Sequence, residues 1–307
     1  VSTVVIVGAG IVGSSLAYHL ARQGVSVTLI DQARSPAAGV TGNSFAWIGD
    51  GGDDWPGGAE DLRGSVLMDH RRLEIELPDV TIRWTGSIAW TEDSAPAGRG
   101  DRLERGQHWI SRSEIGALEP NLVAPPERAV FAPNEGGVDP VLMTEALVNA
   151  ARALGAQVVL GSAATSLKMV GGRVEGVTAS AQFYPASTVV LAAGTNVPTL
   201  CEPLGVKLPV AASPALLMRV AAPPGLVKTI IDGPWFNVRE VRNGDLLMTA
   251  PEAGGLSEAG LQQLAQSTVD RLRAAFGNDD AIRLLGHHLG MRPMPANGPI
   301  VGYATPD

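Results

Sequence analysis

An apolar run, Val4-Val5-Ile6-Val7, leads straight into Gly8-Ala9-Gly10-Ile11-Val12-Gly13, and this junction leaves few folds open. A helix-period run (Leu16, Ala17, Leu20) continues to Gly24, and a second apolar run from Val25 to Ile30 ends in Asp31. Each glycine has a physical reason to be there. Gly8 permits the tight turn out of the strand, Gly10 lets the backbone approach a pyrophosphate, and Gly13 lets the helix pack closely on the strand. The helix N-terminus offers unpaired N–H groups and a positive dipole end to phosphates. Asp31, at the tip of the second strand, is placed to accept hydrogen bonds from a ribose. The glycine spacing alone is a weak signal and also suits an ordinary strand–helix turn. With strand, helix and terminal acid in place, it points to a dinucleotide-binding α/β unit.

At 307 residues the chain has length for one large or two moderate domains. A hydrophobic content of 45% and a mean hydropathy of +0.13 describe a well-buried globular protein. The net charge of −8, without any block of Lys or Arg, argues against nucleic acid or an anionic membrane as partner. Cys201 is the only cysteine, which excludes an intrachain disulfide and a cysteine metal cluster. No metal site is expected, and a reducing, cytoplasmic setting is. The apolar N-terminus lacks a basic flank and runs into Gly8, as a strand does and a signal peptide does not. The stretch from Val206 to Val227 is broken by Lys207, Arg219 and prolines, so no membrane span is expected.

Residues 32–58 are loop-like, with Trp47 and Trp55 embedded, and an amphipathic helix follows with Leu62, Val66, Leu67, His70 and Leu73 on one face. Thr81 to Trp84 and Ser87 to Thr91 alternate around Gly86 as a bent strand or hairpin. Ser113 is placed to cap a short helix near Glu114 and Glu119. Asp139-Pro140 opens a helix from Val141 to Leu154, which Gly155 ends. Strands are expected at Gln157–Leu160, Ala164–Val170, Arg173–Thr178 and Thr188–Ala192, the last running into Ala193-Gly194. Further strands include Leu216–Val220 and a hairpin of Trp235–Arg239 with Leu246–Thr249 around Asn243-Gly244. A helix over Ser257–Phe276 completes this layer.

Four segments make the chain resemble the D-amino-acid oxidase-like FAD-dependent oxidoreductases, the group of glycine oxidase, sarcosine oxidases and D-amino-acid dehydrogenases. They are Val4 to Asp31; Gly136-Gly137-Val138-Asp139-Pro140 with Ala146, Ala150, Ala151 and Gly155; Val189 to Asn196; and Gly290-Met291-Arg292-Pro293 running on to Gly302. The resemblance implies an α/β fold in which a Rossmann-like FAD-binding domain is interrupted by an α+β substrate domain with a mainly antiparallel sheet. The FAD-binding part would comprise 1–80, 138–210 and 288–307, and the substrate part 81–137 and 211–287. Relatives continue with another strand, a glycine-rich loop and a closing helix, so the resemblance also implies a chain truncated at its C-terminus.

By motif position, Gly8, Gly10, Ile11, Val12 and Gly13 would line the pyrophosphate of a noncovalent FAD, with Asp31 and Gln32 facing the adenosine ribose. Thr41, Gly42, Ser44, Phe45 and Ala46 match the segment that runs to the flavin. Ala164 would flank the adenine, and Ala193 and Gly194 would pass close to the dinucleotide. Arg292 would hold the carboxylate of an amino acid, for which a planar guanidinium offers two parallel charge-assisted bonds. Trp47, Trp235 and Phe236 could wall an apolar pocket or simply be core. Arg239 could be a second anion contact or a surface charge on the hairpin. His287 and His288 fall on a strand whose alternation sends only one inward. The implied activity is oxidation of the C–N bond of a small amino acid or amine by hydride transfer to flavin, with imine hydrolysis. The alternatives are a non-catalytic flavoprotein-like scaffold or subunit that needs a partner, and, less well supported, a nicotinamide-dependent dehydrogenase. Oligomeric state is not encoded in any readable pattern.

Overall fold

The computed structural model describes residues 3–49, 64–92, 103, 106–250, 253–277 and 280–304; Trp55 and Leu62 lie outside them. The strand Thr3–Val7, the helix Ile11–Arg22 and the strand Ser26–Asp31 form the amino-terminal unit. The two strands pair in parallel, Val5 beside Thr28 and Val7 beside Ile30. Thr188–Leu191 joins on one side and Gln157–Leu160 on the other, giving a parallel sheet in which Thr3–Val7 is internal. A parallel sheet covered on both faces needs continuous apolar strands, and Ile6, Leu29 and Ile30 are all fully buried.

One face of this sheet is covered by the helices Ile11–Arg22 and Pro140–Ala153, with Ala17, Leu147 and Ala151 in the contact. Asp139 caps the second helix by accepting hydrogen bonds from Val141 N at 3.0 Å and Leu142 N at 3.1 Å. Pro140 occupies the first turn, where no N–H is missed. The other face carries the antiparallel strands Ala164–Val170, Arg173–Ala179 and Gln182–Pro185, which pack Val177, Ala179 and Tyr184 onto Val5, Val7 and Ile30.

The larger sheet is mixed and mainly antiparallel. Among the described residues its order is Arg283–Pro295, Val210–Ala221, Leu246–Ala250, Asn237–Glu240, Ile230–Asp232, Ser87–Ala89, Arg128–Ala132 and His108–Ser111. The helix Glu258–Ala275 lays Leu261, Ala265, Val269 and Leu272 against Leu216, Met218, Val238 and Met248. Each such fully buried leucine, valine or methionine side chain stabilises the fold by about 1.5–3 kcal/mol. Trp47–Ile48, Gly136–Val138 and Ile82–Arg83 form a separate short antiparallel sheet with Gly136–Val138 in the middle. The architecture is thus the expected α/β fold with a second, mainly antiparallel layer.

Some local expectations are corrected. Thr81–Trp84 and Ser87–Thr91 do not pair as a hairpin. Ile82–Arg83 pairs with Gly136–Val138, whereas Ser87–Ala89 pairs with Arg128–Ala132 and Ile230–Asp232. Gly86 makes the crossing between sheets at φ +72°, where a Cβ would lie 2.7 Å from the Phe131 ring. The short helix Arg112–Leu118 is capped by Ser111, not Ser113, because Ser111 holds the extended cap conformation and forms the reciprocal pair with Glu114. The hairpin around Asn243-Gly244 forms, with φ values of +70° and +83° at those residues. The strands Val210–Ala221 and Arg283–Pro295 pair from Val210 opposite Pro295 to Ala221 opposite Arg283.

Candidate active site

The glycine turn is built as its chemistry requires. Gly8 takes φ +112°, and a Cβ there would lie 2.4 Å from Ala192 O. A Cβ on Gly13 would lie 1.9 Å from Gly8 O, so only glycine lets this helix close on this strand. Gly10 faces Thr41 instead, whose Oγ1 lies 3.1 Å from a built Cβ and accepts a hydrogen bond from Ile11 N at 3.2 Å. The helix has no acidic residue in its first turn and no side-chain cap on Gly10, and Val12 beside it is 60% exposed. Ser14 Oγ is buried with no hydrogen-bond partner. An N-terminus without acidic side chains, whose Ile11 N–H is held by the Thr41 hydroxyl, and an orphaned Ser14 hydroxyl beside it fit the phosphates of a dinucleotide.

Asp31 accepts from Ala9 N at 2.6 Å and Ala33 N at 2.7 Å, which ties the tip of the second strand to the glycine turn. Each carboxylate oxygen keeps a further lone pair for a hydroxyl donor. Gln32 beside it is exposed. Ala164 is half-buried against the parallel sheet at the start of its strand. Ala193 and Gly194 follow Ala192, whose N–H donates to Val7 O at 2.8 Å, so their loop sits flush against the glycine turn.

The segment from Val40 to Ala46 leads away from this turn. A Cβ on Gly42 would lie 2.4 Å from Ala37 O, Ala46 N donates to Ser44 Oγ at 3.1 Å, and Ala46 takes φ +51°. Phe45 packs on Leu217, Val241 and Leu247 of the large sheet. The strand carrying Arg292 reaches the same segment. A Cβ on Gly290 would lie 3.2 Å from Val40 Cγ2 and 3.7 Å from Asn43 O. Arg292 pairs with Ser213 in the ladder, is exposed, and donates from Nη2 to Ser213 Oγ at 3.2 Å. His287 is half-buried and lies 3.1 Å from Glu258 Oε1, while His288 is exposed.

The aromatic candidates separate. Trp47 is half-buried, and its Nε1 donates to Glu135 Oε2 at 2.7 Å. Trp235 is 42% exposed with the Arg271 guanidinium 4.5 Å from its ring centroid. Phe236 is a core residue of the large sheet. Arg239 is not a surface charge on the hairpin: it is 3% exposed, with Nε donating to Phe45 O at 2.6 Å and Nη2 to Val138 O at 2.8 Å. Burial pulls its pKa down to about 10, so it remains charged at neutral pH. A cleft of about 210 Å³ borders Arg239 together with Arg83, Asp139 and Arg242, and does not include Arg292.

Glu135 was not singled out by sequence. It is buried, accepts from Trp47 and from Ser87 Oγ at 2.6 Å, and sits under Gly49. Only its position just before Gly136-Gly137 could have drawn attention to it.

No described helix is long and apolar enough to cross a membrane. An uncharacterized oxidoreductase of Bacillus subtilis (strain 168) is 30% identical over 234 residues, which is 70% of this chain and 60% of that protein. The glycine oxidase of Bacillus licheniformis is 28% identical over 218 residues, covering 66% of this chain and 56% of its own length. The chain thus spans less than two thirds of these relatives. The crystal structure of L-proline dehydrogenase from P. horikoshii matches with a TM-score of 0.84 at 17% identity, over 98% of this chain and 84% of that one, a likeness of fold. The family model described as DAO, FAD dependent oxidoreductase, matches residues 3–307. The chain belongs to the DAO family of FAD dependent oxidoreductases.

Proposed function

We propose that this chain oxidises the C–N bond of a small amino acid or amine with a noncovalent FAD. One observation carries the reading: the strand Arg283–Pro295 meets the Val40–Asn43 turn at Gly290, and Arg292 stands two residues further along the same face. In this reading Gly8, Gly10, Ile11, Val12 and Gly13 hold the pyrophosphate, while Asp31 and Gln32 take the ribose. Ala164, Ala193 and Gly194 flank the dinucleotide, and Thr41, Gly42, Ser44, Phe45 and Ala46 lead towards the flavin. The parallel sheet then serves as the cofactor part and the large sheet as the substrate part.

When bound, the flavin supplies the hydride acceptor for the amine's α-carbon, and the imine product hydrolyses in water. The protein's own task is orientation. The Arg292 fork makes two parallel charge-assisted bonds to a carboxylate, which fixes the α-carbon relative to whatever lies beyond the Val40–Ala46 segment. Trp47, held by Glu135, gives that space a rigid apolar wall.

The test is the absorption spectrum of the purified protein. Flavin bands that bleach anaerobically on adding a small amino acid support the reading. A protein that stays colourless with added FAD rejects it and favours a non-catalytic scaffold. NADH formation without flavin bands favours a nicotinamide enzyme.

A further inference from the structure

Arg239 carries more structural responsibility than a residue on a hairpin strand ordinarily does. Among the described residues no carboxylate lies within 4.0 Å of its guanidinium, and its partners are main-chain carbonyls. One carbonyl, of Val138, ends the strand Gly136–Val138, and the other, of Phe45, lies two residues before its partner strand Trp47–Ile48. Trp47 pairs with Gly137, Val138 N donates to Ala46 O at 3.2 Å, and beyond that point Ala46 turns away at φ +51°. The guanidinium bridges Phe45 O and Val138 O where the ladder opens. It lies directly on Gly137, at which a Cβ would come within 2.8 Å of Nη1 and 2.9 Å of Cδ and Cζ. The missing side chain at Gly137 is what admits it.

A second arginine makes the opposite crossing. Arg83, on the strand beside Gly137, donates to Glu240 Oε1 at 2.9 Å and to Val241 O at 3.1 Å, both on the large-sheet side. The two arginines therefore tie the same pair of sheets together, but only Arg239 touches the segment that leads from the glycine turn.

We infer that Arg239 is a positioning residue: from the large sheet it fixes the conformation of Ser44–Phe45–Ala46, so that seating of the flavin depends on the docking of the two sheets. The inference rests on the proposed FAD site. Ala46 is a non-glycine residue in the left-handed region, an arrangement that persists only where its surroundings over-determine it. A forked donor that spans two carbonyls supplies that determination, and a lysine ammonium, with one point of attachment, does not.

The test compares Arg239→Lys, Gly137→Ala and Arg83→Lys. Amide hydrogen exchange is followed in the apo protein, and FAD affinity and the visible circular dichroism of bound flavin in the loaded one. Arg239→Lys is expected to weaken FAD binding roughly tenfold or more, as loss of a charge-assisted hydrogen bond does. It should also speed exchange at Ala46 and Val138 and alter the flavin signal. Gly137→Ala keeps the charge but displaces the guanidinium, and should do the same. Arg83→Lys should lower the melting temperature and leave the flavin signal and affinity unchanged. If Arg239→Lys and Arg83→Lys shift all readouts alike, or Arg239→Lys and Gly137→Ala leave flavin affinity and signal unmoved, Arg239 is only a sheet tie and the inference fails. A wild-type protein that takes up no FAD overturns the cofactor reading itself, and this inference with it.

Discussion

A Cβ on Gly13 would lie 1.9 Å from the carbonyl oxygen of Gly8. This is a backbone contact between the first helix and the turn that precedes it, and neither partner can swing aside. Gly10, in the same motif, meets only the Thr41 hydroxyl, at 3.1 Å. The two glycines should respond differently to alanine. Gly13→Ala is expected to destabilise the apo protein by about 2 kcal/mol or more through overpacking. Gly10→Ala should leave the melting temperature nearly unchanged and weaken FAD binding roughly tenfold, about 1.4 kcal/mol, by displacing Thr41 and crowding the phosphates. Thermal melts with flavin-fluorescence titration decide it, and wild-type affinity in Gly10→Ala would contradict the phosphate role.

Arg292 is exposed, and among the described residues its side chain is held by one hydroxyl, that of Ser213 at 3.2 Å, so the fold does not depend on it. Arg292→Lys and Arg292→Ala should both stay within about 0.5 kcal/mol of wild type in stability. Both should raise KM for a small amino acid roughly tenfold or more, because lysine keeps the charge but loses the parallel pair of bonds. Unchanged turnover at low substrate would remove Arg292 from the site.

Glu119 is fully buried and accepts hydrogen bonds from Lys228 N, Thr229 N and Thr229 Oγ1. Burial pushes its carboxyl above the ordinary value of 4.5, and the hydrogen bonds from Thr229 and Lys228 oppose that only in part. The folded state therefore binds this proton more tightly than the unfolded chain does. The resulting stability is fully present below the unfolded pKa and is lost as pH rises through the folded one. Glu119→Gln does not titrate, so its stability should change less with pH across this window than wild type does. Denaturant midpoints measured from about pH 4 to pH 8 test this, and parallel profiles would show that Glu119 does not titrate differently on folding.

Ser111 and Glu114 form the reciprocal cap of the helix Arg112–Leu118. Ser111→Ala should destabilise the protein by about 1 kcal/mol. Ser113→Ala should stay within about 0.5 kcal/mol, since its hydroxyl contact with Ser111 is exposed. Equal losses in the two variants would misplace the cap.

The parts of the fold that were legible in sequence are those fixed by neighbours in the chain. The glycine turn, the Asp139-Pro140 helix start and the Asn243-Gly244 hairpin each depend on backbone conformations that a few adjacent residues dictate. Gly86 shows where that reasoning ends. Alternation on either side of it was real, but the two short strands pair with different sheets, and alternation does not name a partner.

The amino-acid sequence by itself determined a tight strand–turn–helix junction at the amino terminus, because Gly8 and Gly13 are needed where backbone meets backbone. It also supplied Arg292 on a strand of small and rigid residues. Tertiary structure alone decided what Arg239 is. Its partner Phe45 is 194 positions away, and burial, the absence of a side chain at Gly137 and the carbonyl of Val138 turn an apparent hairpin charge into a bridge between sheets. The reason is physical: backbone preference is a property of neighbouring residues, whereas desolvation and hydrogen-bond partnership belong to whatever the folded chain brings into contact.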